Sequence, residues 1–284
     1  MCYNLIVIVE MSSMNLFEKI LYILQGEMNE PDSFGWFHLL WIGLTLLSIF
    51  ILFINRKKYS EKQLKIVLGV YGVVALILEV VKQLIWSFNY DVGTGVVTWD
   101  YQWYAAPFQL CTTPIYVSLI CLFLKDNKIR DSLLSYMSFV TILGSFMTII
   151  IPDSCFVKTI EVNIHTMWLH CGSFVVSIYL MIVGAVKINK NNLFNAFKVF
   201  IIFILLANLL NISIYNIGIL NGETFNMFYI SPYFISELPV FNIIQQSVPY
   251  IVYLMIYIIS IFGGSFIVYI IAKISEKCYN LNMK

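Results

Sequence analysis

Seven long apolar stretches dominate this chain of 284 residues, at roughly 34–54, 66–88, 104–124, 132–151, 162–186, 196–220 and 243–272. A helix needs about 20 apolar residues to cross the ~30 Å hydrocarbon core of a bilayer. The stretch interiors hold two charged groups, Glu79 and Lys82. Within lipid every backbone N–H and C=O must be satisfied inside the structure, which restricts such segments to helices or closed barrels. The expected fold is therefore all-α: a polytopic bundle of about seven transmembrane helices. Only 12% of the residues are charged, against about 25% in a soluble domain. No room remains for a soluble domain. Residues 1–33 read as an N-terminal interfacial segment, 34–272 as the membrane domain and 273–284 as a cytoplasmic tail.

The net charge of +1 carries no signal for nucleic acid. Its distribution carries more. Basic residues follow the first stretch (Arg56, Lys57, Lys58, Lys62, Lys65), the third (Lys125, Lys128, Arg130) and the fifth (Lys187, Lys190, Lys198), and recur in the tail (Lys273, Lys277, Lys284). The alternate loops hold Lys158 alone, and the N-terminal segment only Lys19. Positive loops face the cytoplasm, which puts the N-terminus outside and the C-terminus inside. Residues 1–10 are too short for a secretory signal and lack its basic start. Residues 15–24 place Leu16, Ile20 and Leu24 at helical spacing, as in a helix lying in the outer interface or capping the bundle. Asp32-Ser33 is placed to cap the first span. The aromatic, two-proline connection at 221–242 is expected to fold back over the outer mouth as a lid. No internal repeat is visible, which disfavours an inverted-repeat transporter.

Polar side chains within the spans collect near their outer ends. They are His38, Cys111, His165 and His170, then Glu79 and Lys82, Asn208, Asn211 and Tyr215, and Gln245, Gln246 and Tyr250. Two helical turns place such groups about 11 Å below the outer surface. Polar groups are costly at that depth and commonly mark a site. Each also has an ordinary reading. Glu79 and Lys82 can pair at i,i+3, and Asn or Gln can stitch helices together. The six cysteines form no CxxC pair and no metal spacing. His165 and His170 diverge by about 140° around a helix, so they make no shared metal-binding face. No cofactor or metal is expected.

Cys111 stands out through its context, Ala106-Pro107-Phe108-Gln109-Leu110-Cys111-Thr112-Thr113-Pro114. Pro114 lacks an N–H, so the Leu110 carbonyl loses its helical partner. Such broken backbone survives at membrane depth only against protein or water. Gln109, Thr112 and Thr113 could supply donors beside the sulfur. A thiol with an imidazole base is a recurring nucleophile, and His170 lies at matching depth.

The elements PFQLCTTPIY (107–116), WLHCGSF (168–174), FHLLWIG (37–43) and NMFYISPYF (226–234) resemble, in order and spacing, the YwaF family of bacterial integral membrane proteins. That family is related to transmembrane protein 164 of animals. The resemblance covers most of residues 34–270. It implies a cysteine-dependent acyltransferase moving fatty acyl chains between phospholipids, with Cys111 as nucleophile, His170 as base, and His38 and Gln109 lining the site. It also implies a bacterial plasma membrane protein. The chain departs from the family at 245–253, QQSVPYIVY, where Pro249 and Tyr250 remain without a preceding Trp.

The expected function is a Cys–His lipid acyltransferase or lipid esterase acting near the outer leaflet. Its substrates would be membrane phospholipid and lysolipid, with no nucleic-acid partner. Cys111 and His170 would be catalytic, with Gln109, Thr112, His38, Glu79, Asn211, Tyr215 and Tyr250 lining the site or holding the oxyanion. The alternative is a non-enzymatic transporter or receptor with a polar outer vestibule, in which Glu79, Lys82, Asn211 and Gln245 bind a ligand. A metal-dependent intramembrane amidase is disfavoured by the ligand spacing.

Overall fold

The structure is a computed structural model describing residues 14–152 and 155–281, without the side chains of residues 57, 58 and 279–281. The expectations for residues 1–10, and the side chains of Cys2, Lys57, Lys58 and Lys284, lie outside that range.

Among the described residues the fold has nine α-helices and one hairpin: α1 (Leu16–Leu24), α2 (Trp36–Ile54), α3 (Glu61–Ser87), β1 (Phe88–Asp91), β2 (Val96–Trp99), α4 (Thr113–Phe123), α5 (Lys128–Ile150), α6 (Ile160–Ile182), α7 (Lys190–Ile217), α8 (Phe241–Ser247) and α9 (Tyr250–Leu281). Six of the helices, α2, α3, α5, α6, α7 and α9, are long and apolar enough to cross a membrane. The end holding α1, the hairpin and the 221–242 connection is termed the outer end, after the charge asymmetry of the loops. Contacts between loops agree with one alternating path. At the outer end Met28 N–H donates to Lys158 O at 2.8 Å and Trp103 N–H to Glu223 Oε2 at 2.7 Å. At the inner end Arg130 meets Glu61 at 2.8 Å, and Lys273 Nζ reaches Ile188 O at 3.2 Å.

The helices bury narrow stripes. On α3, Leu64, Leu68, Tyr71, Ala75, Glu79 and Lys82 are buried at steps of three and four, as one helical face requires. On α7 the same holds for Leu193, Ala196, Phe200, Ile204, Ala207 and Asn211. Opposite faces, such as Leu39, Leu46, Phe50 and Ile54 of α2, stay apolar and exposed. α2 and α9 bury little of themselves, whereas α5 and α6 form the centre.

Two local expectations need correction. The third span is helical only over Thr113–Phe123, because residues 106–112 form an irregular approach and Pro114 sits in the first helical turn. Pro is tolerated there, where its missing N–H has no helical acceptor in any case. The N-cap of α2 is Gly35, not Asp32 or Ser33, and it makes no side-chain cap. His38 supplies the acceptor instead, its Nδ1 taking the Phe34 N–H at 2.9 Å, with Phe34 at φ +61°. Midway along α5, Met137–Thr141 forms a π turn, which widens the helix by one residue per turn. The Met137 carbonyl there accepts from Thr141 Oγ1 at 2.9 Å and from Ser177 Oγ at 2.7 Å.

The 221–242 connection dips into the bundle. Phe225, Met227, Phe228, Ile230 and Ser231 are all buried, and Phe228 and Tyr229 both adopt left-handed backbone, at φ +58° and +57°.

Candidate functional site

Cys111 lies in a turn two residues ahead of α4, partly buried. The 11 residues of α4 rise about 16 Å, roughly half of a ~30 Å hydrocarbon core. Cys111 therefore sits at membrane depth on irregular backbone. A hydroxyl network makes that tolerable. The Gln109 N–H donates to Thr112 Oγ1 at 2.9 Å, while the Thr112 hydroxyl donates to Gln109 O at 2.9 Å. Thr113 Oγ1 donates to Leu110 O at 2.7 Å, replacing the N–H that Pro114 lacks, and meets the Tyr136 hydroxyl at 2.7 Å. Tyr116 OH closes the segment onto Pro107 O.

These bonds change the expected roles. Thr112 is buried and its hydroxyl belongs to its own turn. Gln109 faces the outer connection: Nε2 donates to Asn226 O at 2.9 Å and Oε1 accepts from Phe228 N–H at 2.7 Å. The Thr112 hydroxyl is thus committed to its turn, whereas Gln109 Nε2 has a second hydrogen beyond the one given to Asn226 O. The N–H groups of Leu110 and Cys111 have no acceptor among the backbone bonds of the described residues.

The same connection engages most of the remaining polar belt. Asn211, fully buried, accepts from Met227 N–H at 2.7 Å and donates to Met227 O at 3.0 Å. Gln245 donates to Ser231 O and Phe234 O at 3.0 and 3.1 Å and accepts from Ser236 N–H at 2.6 Å. Tyr250 OH meets Asn208 Oδ1 at 2.9 Å and Ile230 O at 3.0 Å. Tyr253 OH donates to Tyr229 O at 2.6 Å. Sequence reasoning missed Asn226, which accepts from Ser231 N–H at 2.8 Å. Tyr215 stands apart, 43% exposed and stacked on Tyr233 with ring centroids 3.7 Å apart.

The histidines divide by partner. His38 is fully buried with both nitrogens engaged, Nδ1 by Phe34 N–H and Nε2 at 2.8 Å from Ile149 O, so it joins α2 to the outer end of α5. His165 Nε2 lies 2.9 Å from Glu79 Oε2, close enough for attraction but without hydrogen-bond alignment. Glu79 Oε1 in turn takes Lys82 Nζ and Gln83 Nε2, each at 2.8 Å. Glu161, one turn before His165, is buried with both carboxyl oxygens unpartnered. His170 is 7% exposed and its Nδ1 is buried without a partner. Among the described residues no cluster of three or more His, Cys, Asp or Glu is placed to hold a metal ion.

Tyr71 links the His170 helix to the Cys111 neighbourhood. Its hydroxyl donates to Leu169 O at 3.3 Å, and its ring lies where a Cβ on Gly172 would come within 2.8 Å. The absence of a Cβ at Gly172 lets α3 and α6 approach this closely. Tyr71, Tyr136, Tyr229, Tyr257, Lys82 and Glu79 all lie within electrostatic reach of Cys111. No hydrogen bond joins Cys111 to His170.

The fold defines a multi-pass membrane protein with a polar interior toward one end. The model of the TMEM164 family matches residues 33–271, so the chain belongs to that family. No curated protein and no solved structure matches the chain.

Proposed function

We propose that this protein is a Cys–His lipid acyltransferase or lipid esterase, with Cys111 as nucleophile and His170 as base. The observation that carries the reading is the buried, unpartnered Nδ1 of His170, in a chain whose other two histidines contact partners. An unpartnered buried polar group is costly, and a base must be free to take a proton. Cys111 stands at the N-terminal end of α4, where the helix dipole favours developing negative charge.

In this reading a phospholipid enters laterally between the helices. The Cys111 sulfur attacks the ester carbonyl after its proton passes to His170. The imidazolium returns that proton to the departing lysolipid oxygen. The acyl-thioester then passes to a lysolipid hydroxyl or to water. The N–H groups of Leu110 and Cys111 and the second Nε2 hydrogen of Gln109 are candidates for holding the oxyanion.

A second reading, a ligand-binding vestibule, is favoured by the unpartnered carboxyl of Glu161 beside Lys82 and Glu79. It gains nothing from Asn211 or Gln245, which hold the outer connection. The discriminating experiment is acyl exchange in reconstituted vesicles with isotope-labelled phospholipid and unlabelled lysolipid, wild type beside Cys111→Ala. Label reaching lysolipid with wild type alone supports a transferase, and label released as free acid supports an esterase. Equal traces from both proteins remove the thiol reading. The vestibule reading expects a silent Cys111→Ser and a damaging Glu79→Gln.

A further inference from the structure

The nine residues of α1 are too few to cross a membrane, yet the residues it exposes most are apolar. Leu16 is 76% exposed and Ile23 67%, and Phe17, Ile20 and Leu24 are exposed as well. At about 100° per residue these five fall within one arc of roughly 120°. Leu21 and Gln25 flank that arc and meet the bundle. Leu21 is buried with Met14, Ile85 and Phe88, and Gln25 Nε2 donates to Ile85 O and Phe88 O at 2.7 Å each. Glu18, Lys19 and Tyr22 take the remaining side. The start of the helix is fixed by a capping box, Glu18 N–H donating to Asn15 Oδ1 at 2.9 Å and Asn15 N–H to Glu18 Oε2 at 2.8 Å.

The depth of α1 follows from α3. Lys65 is the last exposed basic residue on that helix. About 20 helical residues cover the hydrocarbon core, and counting them from Lys65 reaches Ile85, where α1 rests. α1 therefore lies at the outer boundary between acyl chains and headgroups. Its cluster includes Val81 and Leu84 of α3. One turn deeper, at i−4, Ile77 and Val80 are exposed on the apolar surface of α3. At the other edge Phe17 stacks on Trp99, with centroids 6.3 Å apart and planes 9° apart, and Trp99 is itself exposed. Indole rings favour this level of a membrane.

We infer that α1 is an interfacial helix docked on the outer leaflet of the membrane the protein spans. Leu16, Phe17, Ile20, Ile23 and Leu24 lie against acyl chains, and Glu18 and Lys19 face the headgroups and water. An apolar side, a polar side and a short helix at the boundary are what such a surface requires. Bundle capping falls to Leu21 and Gln25 alone. Lipid is the occupant that fits, because the apolar arc continues the lipid-facing surface of α3 and ends at an exposed Trp. The inference is independent of the thiol chemistry.

The test uses the full chain in vesicles of phosphatidylcholine and phosphatidylglycerol, with the photoreactive residue benzoylphenylalanine in place of Ile20, Ile23 or Glu18. A fourth variant carries it in place of Phe50, on the exposed apolar face of α2. After illumination the intact protein is weighed. Ile20 and Ile23 are expected to give the mass shift of one attached phospholipid, in yield matching Phe50, while Glu18 gives little. Thermal midpoints of the Ile20 and Ile23 variants should stay at wild type, since neither side chain is packed inside the protein. Lipid adducts at Phe50 alone would overturn the inference. So would a doubled mass at Ile20 or Ile23, which would give the face to a second copy of the chain. Equal lipid yield at Glu18 would remove the sidedness and overturn it, as would a lowered midpoint at both Ile20 and Ile23.

Discussion

Around the outer connection, most side-chain amides and hydroxyls are matched to backbone groups, with the buried Oδ1 of Asn242 the exception. Asn211 takes both polar atoms of Met227, Gln109 holds Asn226 and Phe228, and Gln245 holds Ser231, Phe234 and Ser236. On α6, the Nδ1 of His170 and both carboxyl oxygens of Glu161 have no such match. A buried donor or acceptor without a partner costs roughly 1–3 kcal/mol. The contrast separates groups that hold the backbone from groups without a partner among the described residues.

The largest effect that would sharpen this contrast is on activity. Cys111→Ala should abolish acyl transfer while leaving the thermal midpoint close to wild type, because the sulfur makes no hydrogen bond to another residue. Transfer that survives the substitution would break the contrast at its centre. Next comes Glu79→Gln. It strands Lys82 as a buried cation without its counter-charge, a change that typically costs about 3–5 kcal/mol. Adding Lys82→Met should recover much of that loss in unfolding experiments, and activity per folded molecule should persist. Activity that stays lost in the refolded double variant would place Glu79 in the site.

Asn211→Ala leaves the N–H of Met227 unpaired and its C=O with only the long bond from Ile230 N–H at 3.4 Å, and a loss of about 1–3 kcal/mol follows from one such group. Proteolysis or hydrogen exchange should show residues 223–239 loosening first. Unchanged exchange there would mean that the connection is held by packing alone. The smallest effect is expected at Tyr215→Ala, which removes one exposed ring stack worth about 0.5–1.5 kcal/mol. Its acyl-transfer rate should equal wild type, and a large rate loss would return Tyr215 to the site-lining set.

Much of the architecture was legible in the sequence because burial in lipid imposes long apolar runs, and six such helices are present. The break near Pro114 was also legible, since the missing N–H is a property of the residue. How far the break extends was not: residues 106–112 depend on Thr112, Thr113 and Tyr136 meeting across turns. The polar belt was read at the right end of the bundle but as one set. Sequence depth alone does not distinguish His38, engaged at both nitrogens, from His170, open at Nδ1. Both are histidines in the outer halves of apolar spans.

The amino-acid sequence by itself determined that this chain is a membrane helix bundle, which loops share a side, and that Cys111 lies on broken backbone. Hydropathy, charge and proline chemistry are local, so they survive without coordinates. Only the tertiary structure decided which polar groups are satisfied. A hydrogen bond between Gln109 and Phe228, or between Tyr253 and Tyr229, joins residues far apart in the chain. Its presence depends on tenths of an ångström and on direction, neither of which residue spacing encodes.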